Sequence, residues 1–147
     1  MIQLANERHL DEILGIEKIV FTKPWSRKQL KSDLTLRTNA ENWVYLKDQH
    51  VVGYIFGWKV SDEFHLNNIA VHTDYQGRHI GRLLIKHVSA HLQNQEICRI
   101  YLEVSEGNVV AQHLYESLGF QQKGIRKDYY EKGNHALLYH LNLVVND

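Results

Sequence analysis

Residues 67–82 read Asn-Asn-Ile-Ala-Val-His-Thr-Asp-Tyr-Gln-Gly-Arg-His-Ile-Gly-Arg. The apolar run 69–71 ends a predicted strand, a polar turn follows, and Gly77 and Gly81 precede the apolar stripe of a predicted helix. Backbone N–H groups at a helix start lack intrahelical partners, and the helix dipole adds partial positive charge there. The stretch therefore predicts an anion site, although two glycines alone are equally compatible with a plain strand-to-helix turn.

This loop differs from two common phosphate-binding patterns. No Lys-Ser or Lys-Thr follows Gly81, and G-x-G-x-x-G is absent. The loop matches Q-x-x-G-x-G through Gln76 and Gly81, except that His79 occupies the middle glycine position. Here the sequence resembles the GCN5-related N-acetyltransferases, the GNAT superfamily, whose acyl-CoA pyrophosphate sits on such a loop. Arg78 and Arg82 lie close by, as a pyrophosphate favours, and a helical φ at His79 is expected to supply the required backbone N–H.

Length and composition exclude several classes of protein. The 147 residues suit one domain, predicted over 1–147, and 17 basic residues balance 17 acidic ones. No broad cationic field therefore attracts nucleic acid or an acidic membrane. The single Cys98 excludes an internal disulfide, and the chain has neither a membrane-length apolar run nor signal-peptide features. We predict a soluble cytoplasmic monomer without a nucleic-acid or membrane partner.

The remaining periodicity predicts a mixed α/β chain. Strands are expected where polar and apolar residues alternate or where β-branched and aromatic residues cluster, and helices where a capping residue precedes an apolar stripe. The predicted strands cover residues 2–4, 43–46, 51–58, 64–71, 98–104, 120–126 and 136–143. The predicted helices begin at Asn6, Ser26, Ile80 and Asn108, and end before Lys23, after Leu34, near Asn94 and at Gly119.

The segment 64–104 has the order strand, helix, strand, so its two strands should be parallel and joined by a right-handed crossover. If they are neighbours, Glu103 lies near the end of the sheet at which ligands bind in open α/β folds. Cys98 alternates with Ile100 and Leu102, which predicts a buried thiol on the face opposite Glu103. A buried thiol is inert, so we expect direct transfer and no acetyl-cysteine intermediate.

No metal site is predicted. Among ten histidines only His87 and His91 have an i, i+4 spacing that suits a metal ion. No third ligand is evident nearby, and H-E-x-x-H does not occur. The two histidines are expected on a solvated helix face.

A narrower resemblance covers nearly the whole chain. Pro24-Trp25-Ser26, Asn68 to Val71, Asp74 to Gly77, Leu102-Glu103-Val104, Asn108, Leu114 to Phe120 and Tyr129-Tyr130 are similar to the RimI family of bacterial ribosomal-protein-alanine N-acetyltransferases. The resemblance implies a GNAT fold: a central, mostly antiparallel sheet with a parallel, splayed strand pair at the acyl-CoA site and flanking helices. It also implies acetyl-CoA as co-substrate and the N-terminal alanine of ribosomal small-subunit protein eighteen as acceptor.

The resemblance assigns roles to several residues. An N-terminal ammonium has a pKa near ~8 and must lose a proton before it attacks a thioester. Glu103 is the expected base, directly or through water, and otherwise an ordinary strand glutamate. Tyr115 is the expected acid for the CoA thiolate, alongside a possible core role. Asn108 either contacts the pantetheine arm or only caps its helix.

Two further groups complete the predicted site. Trp25, Tyr129 and Tyr130 either contact the acceptor or only pack their loops, the two tyrosines in a polar loop over 127–134. Backbone N–H groups at 69–71 would stabilise the oxyanion. The predicted acyl-CoA contacts are Ile69, Ala70, Val71, Gln76, Gly77, Arg78, His79, Ile80, Gly81, Arg82, Asn108 and Tyr115. Two alternatives stay open: the same chemistry on a lysine, polyamine or other small amine, and a non-catalytic acyl-CoA-binding module.

Overall fold

The structure, a computed structural model, describes residues 1–144 except the side chain of Glu131. Residues 145–147 of the predicted domain lie outside the described residues. The strands are β1 (Ile2–Leu4), β2 (Ala40–Lys47), β3 (His50–Val60), β4 (Glu63–Val71), β5 (Arg99–Ser105), β6 (Gln121–Glu131) and β7 (Asn134–Asn142). The α-helices are α1 (Leu10–Val20), α2 (Arg27–Thr35), α3 (Ile80–Gln93) and α4 (Val109–Ser117).

The seven strands form one sheet in the order β1-β2-β3-β4-β5-β7-β6. Every neighbouring pair is antiparallel except β4 and β5, which are parallel. The parallel pairing joins only Glu63–His65 to Arg99–Tyr101, and beyond it the two strands separate. The predicted mixed fold with a parallel, splayed pair in a mostly antiparallel sheet is therefore confirmed.

The helices cover the two faces of the sheet unequally. On one face α3 and α4 pack over a large core that includes Leu84, Ile100 and Tyr139. On the other face α1 and α2 pack only on residues of β2, β3 and β4, such as Val44 and Tyr54. The half of this second face that belongs to β5, β6 and β7 is left without a helix, which leaves room for a binding groove.

A β-bulge at Asn67 reorients β4 just where the sheet splits. Phe56 is paired with Asn68 and Gly57 with Leu66, so Asn67 is an extra residue. One extra residue reverses which side chains face which side of a sheet. As a result Leu66 and Ile69 both pack in the core under α3.

The predicted helix ends are observed. Asn6 Oδ1 accepts from Arg8 N at 2.9 Å and caps a single 3₁₀ turn that leads into α1. Ser26 Oγ caps α2 by accepting from Gln29 N at 3.1 Å. At the end of α4, Gly119 has φ +97°, a conformation that glycine adopts with little cost.

The predicted polar loop over 127–134 is wrong. β6 continues to Glu131 and turns tightly into β7, so Tyr129 and Tyr130 lie on a strand. The register breaks between Arg126 and Glu131, and Asp128 has φ +52°, which marks an irregular end to the hairpin. β6 is an edge strand, and its polar residues face solvent, so its sequence lacks the apolar alternation of an interior strand.

The predicted burial of Cys98 is also wrong. Cys98 is exposed and precedes β5, while Ile97 takes the buried position. The chain turns at Glu96, with φ +61°, and this turn breaks the alternation that holds within the strand. Cys98 lies at the opposite end of β5 from Glu103, so the strand itself separates the thiol from the predicted site.

The face of α3 with His87 and His91 is not simply solvated. Both imidazole rings stand edge-on to Trp43, with centroids 4.8 and 4.9 Å away. His91 Nε2 also lies 3.6 Å from Glu41 Oε1. Within residues 1–144 no group of three or more His, Cys, Asp or Glu residues is arranged to hold a metal ion. No helix in that part of the chain is long and apolar enough to span a membrane.

Candidate active site

A cleft of about 470 Å³ opens where β4 and β5 separate. The walls come from α1 and the segment after it, from β4 and β5, from α4 and its capping residue, and from the hairpin of β6 and β7. Six predicted site residues line this one cleft although they are far apart in sequence. They are Trp25, Ile69, Glu103, Asn108, Tyr115 and Tyr130.

Strand β4 presents backbone groups to the cleft. His72 N donates to Val52 O at 2.8 Å, so His72 and, two residues earlier, Ala70 direct their amides toward β3. Amides alternate along a strand, and those of Ile69 and Val71 therefore point toward the open side. Gln76 Nε2 donates to Val71 O at 3.0 Å and holds the turn against this strand end. Of the three predicted amides, those of Ile69 and Val71 point away from β3, and of these two residues Ile69 lines the cleft.

The turn after β4 leads into α3 with an open helix start. The first helical hydrogen bond runs from Leu83 N to His79 O at 3.0 Å, so the amides of residues 80–82 have no intrahelical acceptor. Gly77 has φ +79°, and a Cβ built there would meet no atom of the chain within 4 Å. The helix start therefore leaves amides and open space for an anion.

The expected helical φ at His79 is wrong. His79 has φ +63° and lies in the left-handed region, where an L-residue costs about 1–2 kcal/mol relative to its right-handed form. The family pattern places glycine here, and the left-handed backbone explains that preference. His79 thus adopts the left-handed backbone conformation of this turn although a residue with a side chain disfavours it.

Two guanidinium groups flank the helix start. Arg78 lies over the ring of Tyr75, 5.1 Å from its centroid. Arg82 Nη2 donates to Ser117 Oγ at 2.7 Å and ties α3 to α4. Open amides, a glycine and two guanidinium groups together fit the pyrophosphate of an acyl-CoA.

Glu103 lines the cleft, and Arg126 lies beside it. Arg126 Nη2 is 3.1 Å from Glu103 Oε1, and the Glu103 side chain is 30% exposed. Arg126 in turn lies over the ring of Tyr129, 4.7 Å from its centroid, and Tyr129 stands edge-on to Tyr130 at 5.1 Å. The irregular end of β6 therefore surrounds the carboxylate with a cation and two phenols.

Tyr115 is 5% exposed and packs its ring 5.6 Å from Phe120 and 6.4 Å from Tyr139. Burial, with a smaller contribution from Tyr130, raises the pKa of Tyr115 to about 12. The phenol therefore stays protonated throughout the neutral range. Tyr115 is therefore a core tyrosine that also lines the cleft. The predicted core position and the predicted cleft position are compatible.

Asn108 and Trp25 have structural contacts as well as a place in the cleft. Asn108 Oδ1 accepts from Ala111 N at 3.1 Å and caps α4, which is the structural alternative for this residue. Trp25 stands edge-on to Phe56 at 6.1 Å, as a packing anchor would. Both residues still line the cleft, so neither structural contact excludes a ligand contact.

A second hollow of about 670 Å³ lies over the uncovered half of the sheet. It includes Tyr129, Arg126 and Tyr101, and it shares Trp25 and Glu103, among others, with the first cleft. Glu103 therefore stands where the two hollows meet. One runs toward Tyr115, and the other runs across the open sheet face.

Sequence reasoning missed two charged residues of this region. Arg126 gave no signal, because its contact with Glu103 depends on the pairing of β6, β7 and β5. Glu17 lies on the apolar stripe of α1 and is 0% exposed. A carboxylate on a buried stripe is unusual enough to have marked it from the sequence.

Comparison with known proteins bears on this geometry. The model of the acetyltransferase (GNAT) family matches residues 10–120. The [ribosomal protein bS18]-alanine N-acetyltransferase of Salmonella typhimurium is 36% identical over 132 residues, which are 88% of this chain and 86% of that protein.

Solved structures agree in fold. The crystal structure of the ribosomal-protein-S18-alanine N-acetyltransferase from Escherichia coli superimposes with a TM-score of 0.92 and 29% identity, over 100% of this chain and 96% of that one. An aminoglycoside 6'-N-acetyltransferase complexed with coenzyme A has a TM-score of 0.86 at 10% identity, over 100% and 98% of the two chains. The second likeness concerns the fold alone.

Proposed function

Since the chain belongs to the acetyltransferase (GNAT) family and is an acetyl-CoA-dependent N-acetyltransferase, we propose that it acetylates the N-terminal α-amine of a protein, namely the N-terminal alanine of ribosomal protein bS18. The observation that carries this proposal is the position of Glu103 at the junction of the two hollows. An acyl donor placed over α3 and an acceptor placed over the open sheet face would meet there. The relatives named as bS18-alanine N-acetyltransferases support the choice of acceptor.

Glu103 is the proposed base. The acceptor ammonium, with an ordinary pKa near ~8, transfers a proton to the carboxylate directly or through one water before it attacks. Arg126 lies on the carboxylate in the free protein, 3.1 Å away, and an incoming ammonium can replace it as the partner of the negative charge. Attack of the amine nitrogen forms the C–N bond at the thioester carbonyl.

The open amides of β4 are the proposed oxyanion donors. The amides of Ile69 and Val71 point away from β3, and Ile69 lines the cleft where a tetrahedral intermediate would place its oxygen. Fixed amides stabilise the negative charge of this oxygen without having to reorient during the reaction. As the intermediate collapses and the C–S bond breaks, the charge passes to the CoA sulfur.

Tyr115 is the proposed donor to the departing sulfur. Its pKa of about 12 keeps the proton in place, but an ordinary thiol has a pKa near ~8.5, so complete transfer from phenol to thiolate is unfavourable in water. Burial raises the basicity of a thiolate as well, and a hydrogen bond to the developing charge needs no match of pKa values. Tyr115 therefore donates a hydrogen bond to the sulfur first, and its proton passes to the sulfur as the C–S bond breaks. The proton that the amine nitrogen still carries in the tetrahedral intermediate then returns to the phenolate, so the phenol is restored.

The acceptor's first residues are proposed to lie against Trp25, Tyr129 and Tyr130. Tyr130 lines both hollows and Tyr129 lines the groove over the sheet. Burial and the neighbouring Glu103 raise the pKa of Tyr130, so its hydroxyl is a hydrogen-bond donor at neutral pH. Such donors suit the first peptide carbonyl of an acceptor.

Acetyl transfer to a panel of acceptors tests the proposal. The panel contains a peptide with the bS18 N-terminus and a free alanine, the same peptide with a blocked N-terminus and an internal lysine, and a polyamine. The expected result is transfer to the free alanine alone. Transfer only to the lysine or the polyamine would replace the acceptor, and acetyl-CoA binding without any transfer would favour a binding module.

A further inference from the structure

Glu17 is a buried carboxylate that the proposed reaction does not use. Glu17 is 0% exposed and lines the cleft. Glu17 Oε1 accepts from Trp25 N at 2.8 Å, and Oε2 accepts from Asn68 Nδ2 at 2.8 Å and from the hydroxyl of Tyr54. One side chain of α1 thus ties together the segment after α1, the central strand β3 and the splayed strand β4.

All three of these donors are neutral. Burying a carboxylate is costly even when its oxygens are fully hydrogen-bonded, because neutral donors replace water only in part. An apolar residue would fill the same helical stripe without this cost, since Ile13 and Ile16 occupy neighbouring positions of it. A carboxylate at this position therefore indicates a requirement other than packing.

The tie to Asn68 acts on the strand that faces the reaction. Asn68 follows the bulge at Asn67 and precedes Ile69, whose amide faces the cleft. β4 has lost its pairing with β5 from Leu66 onward, so this edge receives no support from β5. The hydrogen bond from Asn68 to Glu17 restrains that segment from the α1 side.

The tie to Trp25 acts on the opposite wall. Trp25 follows Pro24 in the segment that joins α1 to α2, and its ring lines both hollows. Its backbone N–H is fixed by the same carboxylate that fixes Asn68. The separation between the acyl wall and the acceptor wall is therefore set through a single side chain.

We propose that Glu17 is a positioning residue for acetyl transfer, which holds the oxyanion strand through Asn68 and the acceptor wall through Trp25. This inference rests on the proposed function. A displacement of about 1 Å between reacting groups can lower turnover by roughly 100-fold, so loss of these ties should act on kcat. The amides and guanidinium groups at the start of α3, which are proposed to hold the pyrophosphate, lie outside this network, so acetyl-CoA affinity should change much less than kcat.

The test compares Glu17→Gln and Asn68→Ala with a matched control, Asn42→Ala. Asn42 is likewise a buried polar tie: its Nδ2 donates to Asp33 O at 3.0 Å, and its Oδ1 accepts from Gly57 N at 3.2 Å. It lines neither hollow. For each variant we would measure the thermal midpoint, acetyl-CoA affinity, and kcat and KM for acceptor, at a temperature where the variant is fully folded.

Glu17→Gln and Asn68→Ala are expected to lower kcat by roughly 10- to 100-fold with acetyl-CoA affinity retained. Asn42→Ala should destabilise the protein comparably and leave kcat within about two-fold, since it is remote from the cleft. The double variant Glu17→Gln/Asn68→Ala should lose no more kcat than the worse single variant, because both substitutions act on the same hydrogen bond between Asn68 and Glu17. Asn68→Ala still tests the inference if Glu17→Gln does not fold.

Two results would overturn the inference: a folded Asn68→Ala protein with wild-type kcat, or losses of kcat that follow the thermal midpoint in all variants, Asn42→Ala included. Failure of the proposed function looks different, since the wild type itself would then leave the free alanine peptide unmodified. In that event the same comparison is made with the amine that the wild type does acetylate, or with its acceptor-independent hydrolysis of acetyl-CoA.

Discussion

The two sides of the cleft are built from different parts of the chain. The proposed acyl-CoA side is a continuous segment, from the end of β4 through the turn at Gly77 to the first turn of α3, and it presents mainly backbone amides. The proposed acceptor side combines Trp25, Glu103, Arg126 and Tyr130, which line the two hollows from separate elements. The first side should therefore be sensitive to changes in backbone geometry, and the second side to changes in side-chain identity.

This difference predicts how each side fails. A change at the helix start should alter acetyl-CoA affinity and leave the chemistry intact, because amides hold the anion whatever the acceptor is. A change among the side chains around Glu103 should alter turnover and leave acetyl-CoA affinity intact. Variants that break this separation would show that the two sides are coupled.

The largest effect is expected for Glu103→Gln. The amide cannot take the proton of the acceptor ammonium, and kcat should fall by roughly 100-fold or more. Acetyl-CoA affinity, measured by calorimetry, should not change. Glu106→Gln, at an exposed glutamate just beyond β5, is the matched control and should keep wild-type turnover. Wild-type turnover in Glu103→Gln would show that another group takes the proton.

Tyr115→Phe comes next, with an expected loss in kcat of roughly 10-fold, since one hydrogen bond to a developing thiolate is removed. The wild-type pH profile carries a second prediction. The pKa of Tyr115 is raised to about 12, so the phenol is still protonated at alkaline pH, and kcat at saturating acceptor should not fall through the ordinary pKa of a tyrosine. A descending limb near the ordinary pKa of a tyrosine, about 10, would contradict this assignment.

Gly77→Ala should act on acetyl-CoA affinity alone. A Cβ at φ +79° is disfavoured by about 1 kcal/mol and projects from backbone that the anion approaches, so we expect roughly 5- to 10-fold weaker binding. Gly15→Ala is the matched control, since a Cβ there also meets nothing within 4 Å but lies in α1, where alanine stabilises a helix by about 1 kcal/mol. A lower kcat with unchanged acetyl-CoA affinity in Gly77→Ala would show that the two sides of the cleft are not independent.

The smallest effect is expected for His79→Gly. Glycine relieves the left-handed strain at φ +63° but also increases the freedom of the unfolded chain, so the free energy of unfolding should change by less than about 1 kcal/mol. Acetyl-CoA affinity should change little, because the backbone N–H is kept. A loss of affinity above roughly 10-fold, or about 1.4 kcal/mol, would show that the imidazole itself binds the ligand.

Much of the acyl-CoA side was predictable from the sequence. The strand, turn and helix from Ile69 onward are local features, and the prediction that β4 and β5 are parallel is confirmed. His79 shows the limit of local reasoning, because its φ depends on how the turn closes on the helix, and the expected helical value was wrong. The roles of Glu103 and Tyr115 remain predictions, although both residues line the expected cleft.

The sequence by itself determined the strands and helices whose apolar residues recur at a regular spacing, and with them the mixed α/β fold and the turn that is proposed to bind an anion. Only the tertiary structure decided that Arg126 lies 3.1 Å from Glu103, that Glu17 joins Asn68 to Trp25, and that Tyr130 faces the cleft from a strand. Each of these contacts joins residues far apart in the chain. Such contacts depend on sheet pairing and helix packing, whereas a periodic pattern records only which side of an element is buried.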